Sequence, residues 1–238
     1  MILEEKKPLF NNPAKKHEPK GLTVIYEDQY ILVVNKINGL LTVSTDREKN
    51  KTAHFLLNDY VKKGNSRSKN RVFIVHRLDR DTSGVLVFAK NEKVKRKLQD
   101  EWSTFNKKYF AVVHGNLQNK EGVITSYLAE NKMHRMYSVK EAEKGKFSKT
   151  GYKVLKKSGK YNLLDILLFT GRKNQIRVHL AEEGHPVVGD KMYGKIEKSI
   201  KRLALHAASL AISHPITNEK MIFETEIPPY FKALVNFK

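Results

Sequence analysis

The chain has 238 residues, enough for one large domain or two small ones. An apolar share of 40% excludes a disordered chain, and the lack of cysteine excludes disulfides, thiol chemistry and cysteine-built zinc sites. Lys+Arg number 45 against 25 Asp+Glu, a formal net charge of +20, which repels itself unless a polyanion offsets it.

Nucleic acid is the first partner such a charge suggests and an anionic membrane the second, with a merely solubilising lysine-rich surface as the plain alternative. No run approaches the roughly 20 apolar residues of a membrane span, and the N-terminus lacks the apolar core of a signal peptide. These features point to a cytoplasmic protein that does not engage a membrane.

Residues 1–20 form a polar, basic arm with three prolines, Pro8, Pro13 and Pro19. TVIYEDQYILVVNK at 23–36 predicts a hairpin of two β-rich runs about a Glu-Asp-Gln turn. From Thr52, a possible N-cap, Ala53, Leu56, Leu57, Tyr60 and Val61 recur at helical spacing. A basic loop, VKKGNSRSKNR, follows at 61–71.

Two strand-like runs, VFIV at 72–75 and VLVFA at 85–89, flank the charged stretch HRLDRDTSG at 76–84, which closes on a Thr-Ser-Gly turn. NEKVKRKLQDEW at 91–102 predicts a helix capped by Asn91, with Val94, Leu98 and Trp102 on one face. YFAVVHG at 109–115 reads as a strand and 151–169 as a long hairpin. KNQIRVHLAEEG at 173–184 reads as a second helix with Gly184 at C′.

LALHAASLAISHP at 203–215 is ambiguous between helix and strand, MIFETEI at 221–227 is a strand, and PYFKALVNF closes the chain as a helix. Strands joined by hairpins outnumber helices, so the expected class is α+β with a mixed, largely antiparallel sheet and flanking helices. Residues 21–238 form the single main domain.

HRLDRDTSG admits several chemistries. The Asp79/Asp81 pair resembles the D-x-D of haloacid-dehalogenase-like phosphatases and of some glycosyltransferases, both of which gather carboxylates around a cation. Arg77 and Arg80 already place fixed positive charge there, and no further acidic cluster supplies ligands. His-Arg-Leu-Asp also resembles the kinase catalytic loop, but no Gly-rich loop, DFG, Walker A or HExxH motif accompanies it. A carboxylate used directly, beside a guanidinium that favours its charged form, remains. So does a surface ion-pair cluster.

Taken with the rest of the chain, HRLDRDTSGVLVFAK resembles the signature of the RluA-type pseudouridine synthases. YEDQYILVVNKINGLLTV, KKYFAVVHG, TGRKNQIRVHLAEEGHPVVGDKMYG, LALHAASLAISHP and EIPPYF resemble other family segments in the same order, covering roughly residues 21–235. Two departures stand out. KING at 36–39 lacks the usual proline, and Lys173-Asn174 replaces a usual Thr-His. The first alters loop stiffness. The second questions a histidine's role there while sparing Gln175 and Arg177.

The resemblance implies a mixed sheet crossed by a central RNA-binding cleft, the pseudouridine synthase fold. It implies an isomerase that converts specific uridines of ribosomal or transfer RNA to pseudouridine, without cofactor or metal. Twenty arm residues do not make the small N-terminal RNA-binding domain many members carry, so the short form is expected, as a monomer. By motif position Asp79 is the catalytic carboxylate, Arg177 the arginine that holds it charged, and Tyr109 the aromatic that stacks on the base.

Ile176 is expected against the base edge. His76 and Arg77 should face the cleft, Arg77 as a wedge or phosphate contact for a base that must leave its stack. Asp81 should brace the turn through backbone N–H groups or a nearby arginine. His179, His206 and His214 are read as structural. A non-catalytic RNA-binding protein on the same scaffold is the alternative from another class.

Overall fold

The computed structural model describes residues 18–46, 48–197 and 199–237, so residues 1–17 of the expected basic arm lie outside the described residues. The strands are β1 (Leu22–Glu27), β2 (Ile31–Lys36), β3 (Phe73–Ile74), β4 (Ser83–Ala89), β5 (Asn106–His114), β6 (Glu121–Glu130), β7 (Met136–Val139), β8 (Lys146–Ser158), β9 (Tyr161–Leu168), β10 (Leu205–Ser213) and β11 (Lys220–Glu224). The helices are α1 (Ala53–Lys62), α2 (Glu92–Asp100), α3 (Gln175–Glu182) and α4 (Pro229–Leu234).

All the strands join one sheet in the order β1-β2-β4-β10-β5-β9-β8-β6-β7, with β3 on β4 and β11 on β10. Every pairing among the named strands is antiparallel except β4–β10, where Ser83 and Gly84 lie beside His206 and Ala207. The α+β expectation holds.

Period-2 patterning sorts the helices onto two faces. On the front, Leu32, Val34, Leu86 and Phe88 pack against Leu57 and Val61 of α1. On the back, Val33, Val85 and Val87 meet Val94 and Leu98 of α2. Farther along, α3 covers the front of β6–β8, where His179 reaches Ser126 and Thr150. Phe231 of α4 meets the ring of His206 edge-on behind β10.

Capping residues start α1 and α2 where the sequence predicts. Thr52 accepts from the Phe55 N–H at 3.2 Å and Asn91 from that of Val94 at 2.8 Å. In the first hairpin, the Asp28 carboxylate accepts from the N–H groups of Tyr30 and Ile31, at 2.6 and 2.7 Å.

Several expectations need correction. Thr-Ser-Gly is not a turn, because β4 already begins at Ser83, drawn into the sheet by β10. The run at 72–75 yields only the two-residue β3. Trp102 lies beyond α2, its carbonyl taken by the Lys107 ammonium at 2.9 Å. The ambiguous segment 203–215 is the strand β10, because it fills the gap between β4 and β5. β11 ends at Glu224, and β6 and β7 are additional strands.

Candidate active site

The loop that carries Asp79 is tied to the KING segment, mainly through its main chain. Lys36 is fully buried, and its ammonium donates to the carbonyls of Leu40 at 2.7 Å and of Ile37 and Arg80 at 3.1 Å. Burial pushes its pKa down to about 8, opposed by the charges of Asp81 and Asp79. The Gly39 N–H also donates to Arg80 O, the Asn38 amide to Asp81 O, and Thr42 both donates to and accepts from the Leu78 backbone. Asp81 is held by its carbonyl. Among the described residues, no hydrogen bond or ion pair engages its carboxylate.

Arg177 rises from α3 to meet this loop. Its Nη1 lies 3.1 Å from Asp79 Oδ2, while Nε and Nη2 grip both oxygens of Asp190 at 2.7 and 2.8 Å. Nη1 also donates to Asn174 Oδ1 at 3.2 Å. The Asp190 side chain is fully buried and that of Asp79 is 35% exposed, so the two pairs differ in strength. Burial alone would raise the Asp190 pKa, but hydrogen bonds and charge from Arg177, with the N–H groups of Tyr193 and Met192, bring it below the ordinary carboxylate value.

α3 is itself pinned. The Gln175 amide donates to Lys149 O and Thr150 Oγ1, and its oxygen accepts from Thr170 Oγ1 and the Arg172 N–H. Asn174 also donates to Tyr193 Oη at 3.2 Å, and the Tyr193 ring lies 5.2 Å from the Arg177 guanidinium. The departure at Lys173-Asn174 therefore adds a part: Asn174 links Arg177 to Tyr193.

A cleft of about 1010 Å³ opens above this constellation on the front of the sheet. It lies at the top of the range of small-ligand pockets, which run to roughly 300–1,000 Å³. Asp79, Tyr109, Ile176, His76, Arg77 and Arg177 all line it, so the fold brings together every residue the sequence singles out. Arg80, Lys107, Arg135, Arg172, Lys173 and Lys191 add positive charge around its wall.

Tyr109 stands on β5 opposite Ala207 and Ile166, and burial together with the Asp79 charge raises its pKa, so its hydroxyl keeps its proton at neutral pH. His76 stacks on Trp102 with ring centroids 4.2 Å apart and accepts from the Val87 N–H at 3.1 Å. Burial, with Lys107, pushes its pKa down to about 3, so it is neutral and structural in character. Arg77 is exposed at the rim, and Ile176 is 5% exposed, half cleft wall and half core.

His179, His206 and His214 are hydrogen-bonded structural histidines, as read. Among the described residues, no group of three His, Asp or Glu is placed to hold a metal ion, and no helix is long and apolar enough to cross a membrane. Sequence reasoning misses Asp190, Asn174 and Tyr193. The GDKMYG segment carries the signal for Asp190 and Tyr193, and the Lys173-Asn174 departure that for Asn174, but nothing in either marks one acid as buried.

Residues 30–182 match the family model described as RNA pseudouridylate synthase. The chain is 36% identical over 218 residues to an uncharacterised RNA pseudouridine synthase of Bacillus subtilis, YhcT, covering 90% of this chain and 71% of that one. It is 36% identical over 217 residues to ribosomal large subunit pseudouridine synthase D of Borreliella burgdorferi, covering 88% and 66%. Among solved structures, human RNA pseudouridylate synthase domain containing 1 superposes with a TM-score of 0.73 at 27% identity, covering 93% of this chain and 88% of that one. The chain belongs to the RNA pseudouridylate synthase family, a family of isomerases.

Proposed function

We propose that the chain isomerises uridine in RNA to pseudouridine, with Asp79 as the catalytic carboxylate. The glycosidic bond to N1 breaks, the uracil turns within the pocket, and a bond forms from C1′ to C5, whose proton is released. No oxidant, reductant or energy source enters this balance. Asp79 attacks C1′ or C6, or takes the C2′ proton, and all three roles call for a carboxylate aimed into the cleft.

The observation that carries this reading is the Arg177 bridge, which joins Asp79 at the cleft to the buried Asp190. A guanidinium anchored on one side by a bidentate carboxylate is a fixed support for the other. It orients Asp79 and balances its charge while the target base is enclosed.

Tyr109 stacks on the uracil and stands where a hydroxyl can help move the C5 proton. Ile176 packs on the base edge. Arg77, exposed at the rim, contacts backbone phosphate or fills the gap left by a nucleotide that has swung out of its stack. Ribosomal RNA is the favoured substrate, supported by the name of the Borreliella relative, with transfer RNA second.

Release of tritium from RNA carrying 5-tritiated uridine tests the proposal. The wild-type chain should release it from ribosomal RNA fragments, and Asp79→Asn should bind the same RNA without release. Release at the wild-type rate by Asp79→Asn would remove Asp79 from the chemistry.

A further inference from the structure

The back of the sheet is covered unevenly. α2 lies behind β2 and β4 and α4 behind β5 and β10, whereas α3 covers only the front of β6, β7 and β8. Among the described residues no α-helix lies behind those three strands; the β7–β8 connection, with a 3-10 turn at Ala142–Lys144, crosses β6 there and brings Gly145 beside Val139 and Tyr127. Their register puts Tyr127 beside Phe147 and Val139, Tyr137 beside Ala129, and Thr125 beside Lys149, all on this back face.

Tyr137, Phe147 and Phe169 are 44%, 47% and 42% exposed. The Tyr127 and Phe147 rings meet edge-on at 5.8 Å, and the Lys149 ammonium sits 4.6 Å from the Phe169 ring centroid. Lys153 projects from the same face between two acids, its cross-strand neighbours Glu121 and Asp165. Arg172 lines the active-site cleft and donates through Nε to the Phe147 carbonyl at 3.3 Å, so the patch and the cleft share a border.

We infer that this face is a second RNA-binding surface, a platform on which a single-stranded stretch of the substrate stacks its bases after leaving the cleft. Rings exposed on a sheet and interleaved with cations suit unpaired bases joined by phosphates, because every base offers a π-face and every linkage a negative charge. Double-stranded RNA would offer this face no free bases. A second copy of the chain is the rival occupant, and self-association distinguishes it.

The inference rests on the proposed RNA isomerase activity, but its test is separable from it. Fluorescent oligouridylates of about six and about 30 nucleotides give a probe that fills only the cleft and one that extends past it. Phe147→Ala/Phe169→Ala should weaken the longer probe at least about tenfold, at 1–3 kcal/mol per lost stack, and leave the shorter one unchanged. Tritium release at saturating RNA should also be unchanged.

Lys153→Glu removes no packed ring and serves if the double variant fails to fold; it should weaken the longer probe alone and flatten its salt dependence. Unchanged affinity for the longer probe in both variants overturns the platform. So does a double variant that binds RNA normally but loses a self-association seen in the wild type, which would assign the face to protein contact. If the wild type releases no tritium yet these variants still weaken the longer probe, the isomerase reading fails and the platform stands.

Discussion

Replacing Asp190 and Asp79, each by asparagine, tests the unequal sharing of Arg177. The Asp190 pair is bidentate at 2.7 and 2.8 Å with a fully buried carboxylate, and the Asp79 pair is a single contact at 3.1 Å near solvent. Asp190→Asn keeps the shape and can still accept from the Met192 and Tyr193 N–H groups. It turns an amide N–H toward the guanidinium, however, and leaves Arg177 without its buried counter-charge. Breaking a buried pair from one side costs about 3–5 kcal/mol, and the retained hydrogen bonds favour the lower end.

About 3 kcal/mol lowers the melting temperature by roughly 6–12 °C for a chain of this size. Asp79→Asn removes a partly exposed contact worth about 0–1 kcal/mol and should shift melting by no more than about 4 °C. Activity should divide the other way. Asp79→Asn abolishes turnover, while Asp190→Asn lets Arg177 wander and lowers kcat on the order of 100-fold with KM little changed.

Differential scanning calorimetry and single-turnover tritium release measure both axes. Acid titration adds a third. Because the Asp190 pKa is lowered in the folded state, its stabilisation is present above the unfolded value near 3.8 and is lost as pH falls below it. Asp190→Asn should erase that component. Equal melting of Asp190→Asn and wild type would refute the argument that the buried carboxylate anchors the arginine.

Two histidines give stability an acid dependence at milder pH. Burial lowers His76 to about 3 and His206 to about 4, while the unfolded chain titrates near 6.5, so below that value the unfolded state binds protons the native state excludes. Stability should therefore fall as pH drops from about 6.5 toward 4, and His76→Gln should make the urea midpoint less sensitive over that window; an unaltered pH dependence would contradict the burial reading. At the β4–β10 seam, Gly84 has φ +118° and a Cβ there would lie 2.1 Å from the Ala207 carbonyl oxygen. Gly84→Ala should cost more than about 4 kcal/mol, against roughly 1 kcal/mol for Gly159→Ala in an open turn, where only φ is unfavourable. Comparable denaturant midpoints for the two variants would show that the seam can open.

Local chemistry made much of the fold legible. Thr52, Asn91 and Asp28 each answer orphan N–H groups within three residues of themselves, so the helix starts and the first hairpin follow from short windows. The Asp79–Arg177 pair spans 98 residues and was legible only through motif resemblance, since no periodicity links a loop to a helix at that distance. Asp190 lies within the GDKMYG segment that the resemblance covers, yet neither route gives it a role. It sits in a polar segment whose composition suggests a surface turn, and its burial depends on a guanidinium arriving from another element. The strand β10 was ambiguous because Ala207 and Ala208 suit either state, and only its neighbours on both sides decide it.

The single parallel pairing among the named strands explains why the parts meet where they do. β4 ends the N-terminal half of the sheet, and the loop with Asp79 leads directly into it, held by Lys36. β10 and β5 begin the other half, which supplies Tyr109 and, through α3, Arg177. Since Gly84 lets the two backbones approach, the start of β4 lies against Ala207, the cross-strand partner of Tyr109. A side chain at position 84 would drive the halves apart at the point where the Asp79 loop enters the sheet. The seam therefore sets the spacing between the carboxylate from one half and the tyrosine and arginine from the other.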